Sequence, residues 1–139
     1  MDISRLSRIE KCNLAIELGE RAAVYLGDND AIKSQVADAL NLAKKWNESE
    51  DAGELLYDFL DNEEHGFTIY QENEEDEIKI NAWNCVIDAI AFVSKMAYLE
   101  SGIKYLPEPI EIVDDDIFDH MKKALSLCGE EEREFISKL

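Results

Sequence analysis

Apolar residues recur at three- and four-residue steps through most of the chain, the spacing that gathers them on one face of an α-helix. The strongest instance begins near residue 80. Trp83, Val86, Ile87, Ile90, Val93, Ala97 and Tyr98 form one stripe, and Cys85, Ala89, Phe92 and Met96 widen it over most of the cylinder. A helix this apolar on every side belongs inside a bundle. Gly102 stands where a left-handed residue would stop it, and Pro107 and Pro109 push Leu106 and Glu108 toward extended geometry. Asp114, Asp115 and Asp116 then offer N-caps for a further helix.

Amphipathic patterns elsewhere predict a helix from Asp2 or Ile3 to Leu26, with Gly19 as a candidate kink, and a second from Ala31 to about Trp46 opened by Asp28, Asn29 and Asp30. A short third helix spans Ala52 to Leu60 with Leu55, Leu56, Phe59 and Leu60 inward; another runs from Ile117 to Cys128, and a last one from Glu130 to Leu139. Between them, NEEHGFTIYQENEEDE carries Phe67, Thr68, Ile69 and Tyr70, which have strand-like composition but no second strand to pair with, so the segment reads as an extended loop. The pattern as a whole predicts an all-α fold: a single domain over residues 1–139, a bundle of five or six helices with short connections and one extended acidic loop.

Charge sharpens this picture because it is unevenly spread. The formal net charge is −18, from 32 acidic and 14 basic residues. Residues 1–47 are balanced, whereas residues 48–79 hold 13 carboxylates and a single base, Lys79. Such a field repels nucleic acid and anionic membranes and speeds encounter with a basic partner. Acidic excess also keeps small proteins soluble, but a purely solubilising surface needs no such asymmetry. The cysteines, Cys12, Cys85 and Cys128, are odd in number, widely spaced and set among apolar positions, as buried free thiols of a reducing compartment would be. No run of about 18 uncharged apolar residues marks a membrane span, and the charged start MDISRLSRIE is unlike a signal peptide. A cytoplasmic protein is the expectation.

The chain carries no recognisable catalytic constellation. Its two histidines form two i, i+4 pairs, Asp61 with His65 and Asp116 with His120, and two ligands are too few for a metal site. Asp28-Asn29-Asp30 begins like a calcium loop, but Ile32 and Lys33 stand where that loop needs oxygen and glycine. No phosphate-binding glycine loop and no nucleophile elbow is present. The expectation is a protein that is not an enzyme and uses no cofactor and no metal. Trp83 and Trp46 read as core residues. Tyr105, beside Pro107 in a corner, reads either as core or as an aromatic anchor for a partner.

One stretch, WNCVIDAIAFVSKMAYLESGIKYLPEPIEIVDDD (residues 83–116), resembles the central motif of an all-α class of immunity proteins of bacterial polymorphic toxin systems, immunity protein family six. The likeness lies in a tryptophan opening an alanine-rich helix, the AYLESG ending, the YLPEPIE corner and the VDD that follows. It implies a non-enzymatic protein that binds and neutralises a cognate toxin. Combined with the acidic surface, it points to a basic toxin, for example a nuclease whose cleft must attract phosphate. The carboxylates expected at the contact are Glu54, Asp58, Asp61, Glu63, Glu64, Glu72, Glu74, Glu75, Asp76 and Glu77, followed by Asp114, Asp115 and Asp116, with Tyr105 as the aromatic candidate. The alternative reading is an acidic interaction or adaptor domain unrelated to toxins.

Overall fold

The computed structural model describes all residues 1–139 and contains no β-strand. A 3-10 turn at Ile3–Arg5 leads into helices α1 (Arg8–Ala23), α2 (Asp30–Ala43), α3 (Ala52–Asp61), α4 (Phe67–Glu72), α5 (Glu77–Glu100), α6 (Glu108–Glu111), α7 (Ile117–Ser126) and α8 (Glu130–Ser137). The all-α expectation holds, with eight helices in place of five or six. The two short helices that the periodicity missed, α4 and α6, span little more than one turn each, too short for a 3.6-residue pattern to repeat.

Helix α5 is the axis of the bundle, about 36 Å long at 1.5 Å per residue. Trp83, Cys85, Val86, Ala89, Ile90, Phe92, Val93 and Ala97 are all buried within it. Its length and hydropathy would suffice for a membrane crossing, but here that apolar surface is covered by protein. Helices α1, α3 and α7 form the principal walls, α4 and α6 add short covers, α2 packs on α1 and α3 and reaches α5, and α8 packs on α7. Every helix from α1 to α7 contributes to one contiguous apolar cluster. Aromatic contacts weld the walls to the axis. Trp83 lies 5.2 Å from Phe67 and 5.6 Å from Tyr70, while Phe92 meets Phe118 edge-on at 4.8 Å.

Two glycines let helices approach α5 closely. Gly19 does not break α1; a Cβ there would sit 3.0 Å from the Ala89 Cβ, so the glycine marks the closest crossing of α1 with α5. Gly53 lies beneath the Tyr98 ring, with the ring carbons 2.8–3.1 Å from where a Cβ would stand, and its carbonyl accepts a 2.8 Å hydrogen bond from the buried Ser94 hydroxyl. Gly102 adopts φ +74° just after α5, the stop that the sequence predicts. Of the predicted caps, Asn29 closes the start of α2, whereas Asp116 opens α7 without a side-chain bond. The first helix starts later than expected, at Arg8, where Ser7 and Glu10 form a reciprocal capping box, and Asp76 caps α5; neither cap is among those expected from the sequence.

Two local expectations are overturned. Phe67–Tyr70 is not extended: it opens α4, because Phe67 is drawn into the core between Phe59 and Trp83 and a helical turn lets Tyr70 reach Trp83 as well. The extended acidic loop therefore shrinks to the connection between Glu72 and Glu77. Pro109 does not keep Glu108 out of a helix either; it occupies the first turn of α6, where the missing N–H would have had no intrahelical partner.

The outer helix α8 is held by a partly buried ion pair. Glu132, 4% exposed, accepts from Arg21 Nε at 2.6 Å and from the Tyr25 hydroxyl at 3.1 Å, and the Arg21 guanidinium also lies 3.9 Å over the Phe135 ring.

Replacing an interior helical glycine by alanine ordinarily stabilises a helix by roughly 0.5–1 kcal/mol. Gly53→Ala should do the reverse, destabilising by about 1–3 kcal/mol as the Tyr98 ring is forced aside, which urea denaturation will measure. Burial holds the Cys12 thiol up at about 12 and Cys128 at about 11, and raises Cys85 further. All three should resist thiol reagents near pH 8 in the folded protein and react once it is unfolded.

Candidate functional site

The chain turns sharply after α3, and the turn is built from local polar contacts. The Asn62 side chain accepts from the backbone N–H of Glu64 at 2.9 Å and of His65 at 2.8 Å, an Asx turn that folds the acidic tip back on itself. Gly66 follows with no room for a side chain, since a Cβ would lie 2.5 Å from the Asn62 carbonyl oxygen. The Thr68 hydroxyl bonds the Leu60 carbonyl at 2.9 Å, and the Gln35 side chain from α2 donates to the His65 carbonyl while accepting from the Tyr70 hydroxyl. The turn is thus fixed from both sides. Around it Asp58, Asp61, Glu63, Glu64 and His65 line a wholly polar hollow of about 550 Å³.

A second construction faces it. Lys95 of α5 donates its ammonium to the carbonyls of Glu111 and Val113, neutralising the C-terminal end of α6. Lys11 of α1 pairs with Asp115 at 2.9 Å. These two lysines anchor the passage from Pro107 to Asp116 onto the bundle. Ile110 is driven inward, fully buried, while Ile112 is left 75% exposed.

Between the two lies a groove of about 380 Å³ with a mainly apolar lining from α3, α4, α5, α6 and the start of α7. Leu60, Ala91, Ile110 and Val113 supply buried apolar surface, and Ile87, Pro109 and Ile112 form its open edge. Three carboxylates stand on its rim: Asp61, Asp88 and Asp114. Asp61 also belongs to the polar hollow, so the groove and the hollow form one continuous surface.

The carboxylates expected from the sequence divide into groups. Asp58, Asp61, Glu63 and Glu64 cluster at the α3 turn, and Asp114 joins them across the groove although it lies 53 residues beyond Asp61. Glu72, Glu74, Glu75, Asp76 and Glu77 line neither concavity. They lie around the start of α5, where Asp76 caps the helix and Glu74 accepts from the N–H groups of Glu75 and Asp76. Glu54 is exposed on α3 outside both concavities. Asp115 is engaged with Lys11, and Asp116 is the N-terminal boundary of α7 without a side-chain cap. Tyr105 is 93% exposed in the segment before α6, away from the groove. Leu55, expected inward, is 42% exposed beside a further cleft that shares Asp58, Asn62 and His65 with the hollow.

None of the 13 carboxylates between residues 48 and 79 lies within 4.0 Å of a lysine or arginine nitrogen; Glu64 approaches only His65, at 3.7 Å. The bases that do form ion pairs over distance form them elsewhere: Arg8 with Glu100, Lys11 with Asp115, Arg21 with Glu132 and Lys44 with Glu20. The central acidic charge is thus without a lysine or arginine ion pair inside the fold. The two aspartate–histidine pairs resolve differently from their spacing. Asp61 ends α3 before His65, so the two share no helix face, and His120 pairs with Asp88 of α5 instead of with the Asp116 side chain.

Sequence reasoning missed Asp88 and Ile112. Asp88 appears as one polar residue in an apolar helix and Ile112 as one more apolar residue near a proline. Burial raises the Asp88 carboxyl above the ordinary carboxylate range, against the opposing pull of His120. A raised folded-state value means that ionised Asp88 costs stability at neutral pH and that the cost is relieved in acid. Asp88→Asn should be more stable than the wild type at pH 7, and the difference should close as pH falls toward 3.8, the carboxyl's ordinary value. Urea melts across that range will check the sign.

The family model for immunity protein Imm6 matches residues 10–128 of this chain, spanning α1 to the end of α7. No curated protein and no solved structure shows significant similarity to it.

Proposed function

Because the chain belongs to the immunity protein Imm6 family, and is thereby an immunity protein of a toxin system, we propose that it neutralises its cognate toxin by non-covalent binding through the acidic surface at the α3 turn. The observation that carries this reading is the uncompensated charge. Carboxylates that hold a fold together are normally paired or capping; Asp58, Asp61, Glu63 and Glu64 have no lysine or arginine partner, although they line a hollow whose backbone is rigidly built.

Carboxylates held close together repel one another, and a cationic partner relieves that repulsion on binding. The pre-formed turn adds little ordering cost to association. A basic toxin would therefore meet a surface already shaped and charged for it. A nuclease is the toxin class that fits best, since its cleft must carry positive charge to hold a phosphate backbone, and an acidic inhibitor seated there excludes the substrate. In this reading the protein acts stoichiometrically in the cytoplasm, where three buried free thiols are at home. Family membership favours it over the adaptor alternative.

The test is kinetic. The triple variant Asp61→Lys, Glu63→Lys, Glu64→Lys should bind the toxin encoded beside this chain's gene with an association rate about tenfold or more below wild type in low salt, and with a flatter dependence on ionic strength. An equal change of charge at Glu17, Asp28 and Glu134, which lie away from the hollow, should have a much smaller effect. Equal effects from both triples, or none from either, would remove the acidic hollow from the interface.

A further inference from the structure

We infer that the groove between α3 and α6 seats an apolar side chain of the toxin, carried on a segment with lysine or arginine on either side of it. The inference rests on the proposed toxin-binding role and adds the chemistry of the contact. It begins from Ile112. A large aliphatic residue left 75% exposed beside an apolar groove forgoes the favourable burial that a partner covering it would restore. The groove is not a slack region that closes on itself. Lys95 holds the carbonyls of Glu111 and Val113, and Lys11 holds Asp115, so the wall bearing Ile112 is pinned while its outer face stays open.

The rim decides what can enter. Asp61 and Asp114 flank the groove without a cationic partner, and Asp88 has only His120. An anionic ligand is repelled by all three. A second copy of this chain, with a formal net charge of −18 and the same rim, would bring like charge against like. A wholly apolar segment would fill the groove but leave the carboxylates desolvated and unpaired. A segment that alternates an aliphatic or aromatic anchor with basic side chains satisfies both the floor and the rim, in the pattern of a buried hot spot ringed by polar contacts.

The two parts of the surface should then act on different rates. Charge around the hollow governs encounter, whereas the desolvated anchor governs how long the complex lasts. Binding of the same neighbouring-gene toxin is measured by surface plasmon resonance with Ile112→Ala and Ile112→Asp. Because Ile112 is exposed, both variants should melt within a few degrees of wild type. The expected result is a dissociation rate raised about tenfold by alanine and further by aspartate, with association changed much less. Dissociation within twofold of wild type in both variants overturns the groove assignment. If the charge-reversed triple still associates slowly in that case, the acidic docking surface survives alone; if it too behaves as wild type, both readings fall. Sedimentation of the free protein covers the remaining occupant: a dimer dispersed by Ile112→Asp would assign the groove to self-association and overturn the toxin contact.

Discussion

A helix that is apolar around most of its circumference has to be enclosed, and the rest of this fold is the enclosure of α5. One amphipathic partner would cover only a stripe. Ala89 faces Gly19 of α1, Phe92 meets Phe118 of α7 and Tyr98 covers Gly53 of α3, so several walls are required, and α1, α3 and α7 are the principal ones. Where the walls come closest the side chain is reduced to hydrogen, at Gly19 against Ala89 and at Gly53 against Tyr98. Where a gap remains, a single turn of helix fills it: Phe67 at the start of α4 closes over Trp83, and Ile110 of α6 closes over the far half of the axis.

Enclosing α5 also decides where charge can go. With the interior reserved for apolar groups, the carboxylates lie almost entirely outside, and the few bases are used where they hold elements in place. Arg21 fastens α8, Lys44 joins α2 to α1, and Lys11 and Lys95 fasten the proline-containing corner. No lysine or arginine pairs with the carboxylates of the α3 turn. The molecule tolerates the resulting self-repulsion, which the proposed binding of a cationic toxin would relieve. The same corner that needs lysines to hold it leaves Ile112 outside and thereby completes the groove.

Much of this was legible along the chain. The stripe from Trp83 to Tyr98 identified the central helix, Gly102 its end, Asn29 the start of the second helix, and the charge count isolated residues 48–79 as the unusual block. The stretch from Trp83 to Asp116 pointed to the immunity family that the match over residues 10–128 establishes. These signals are readable because each depends on neighbours a few residues apart: helical period, left-handed φ at glycine, a cap accepting from the next turn, and local net charge.

What depended on distance in sequence and proximity in space was decided by the tertiary structure. Phe67–Tyr70 has strand-like residues, yet becomes helix because the core offers Phe67 a place between Phe59 and Trp83 that an extended chain could not fill together with Tyr70. The acidic block divides, with Glu74 and Asp76 absorbed into backbone contacts and Asp58, Asp61, Glu63 and Glu64 left without a lysine or arginine partner. Adjacent aspartates separate in a related way, Asp115 going to Lys11 while Asp114, which accepts the Asp116 N–H, lines the groove with Asp61. Asp88 joins that rim from the axis helix itself. Periodicity tells which face of a helix is buried but not which other faces it will meet, because that choice is made by all the walls packing on α5 at once.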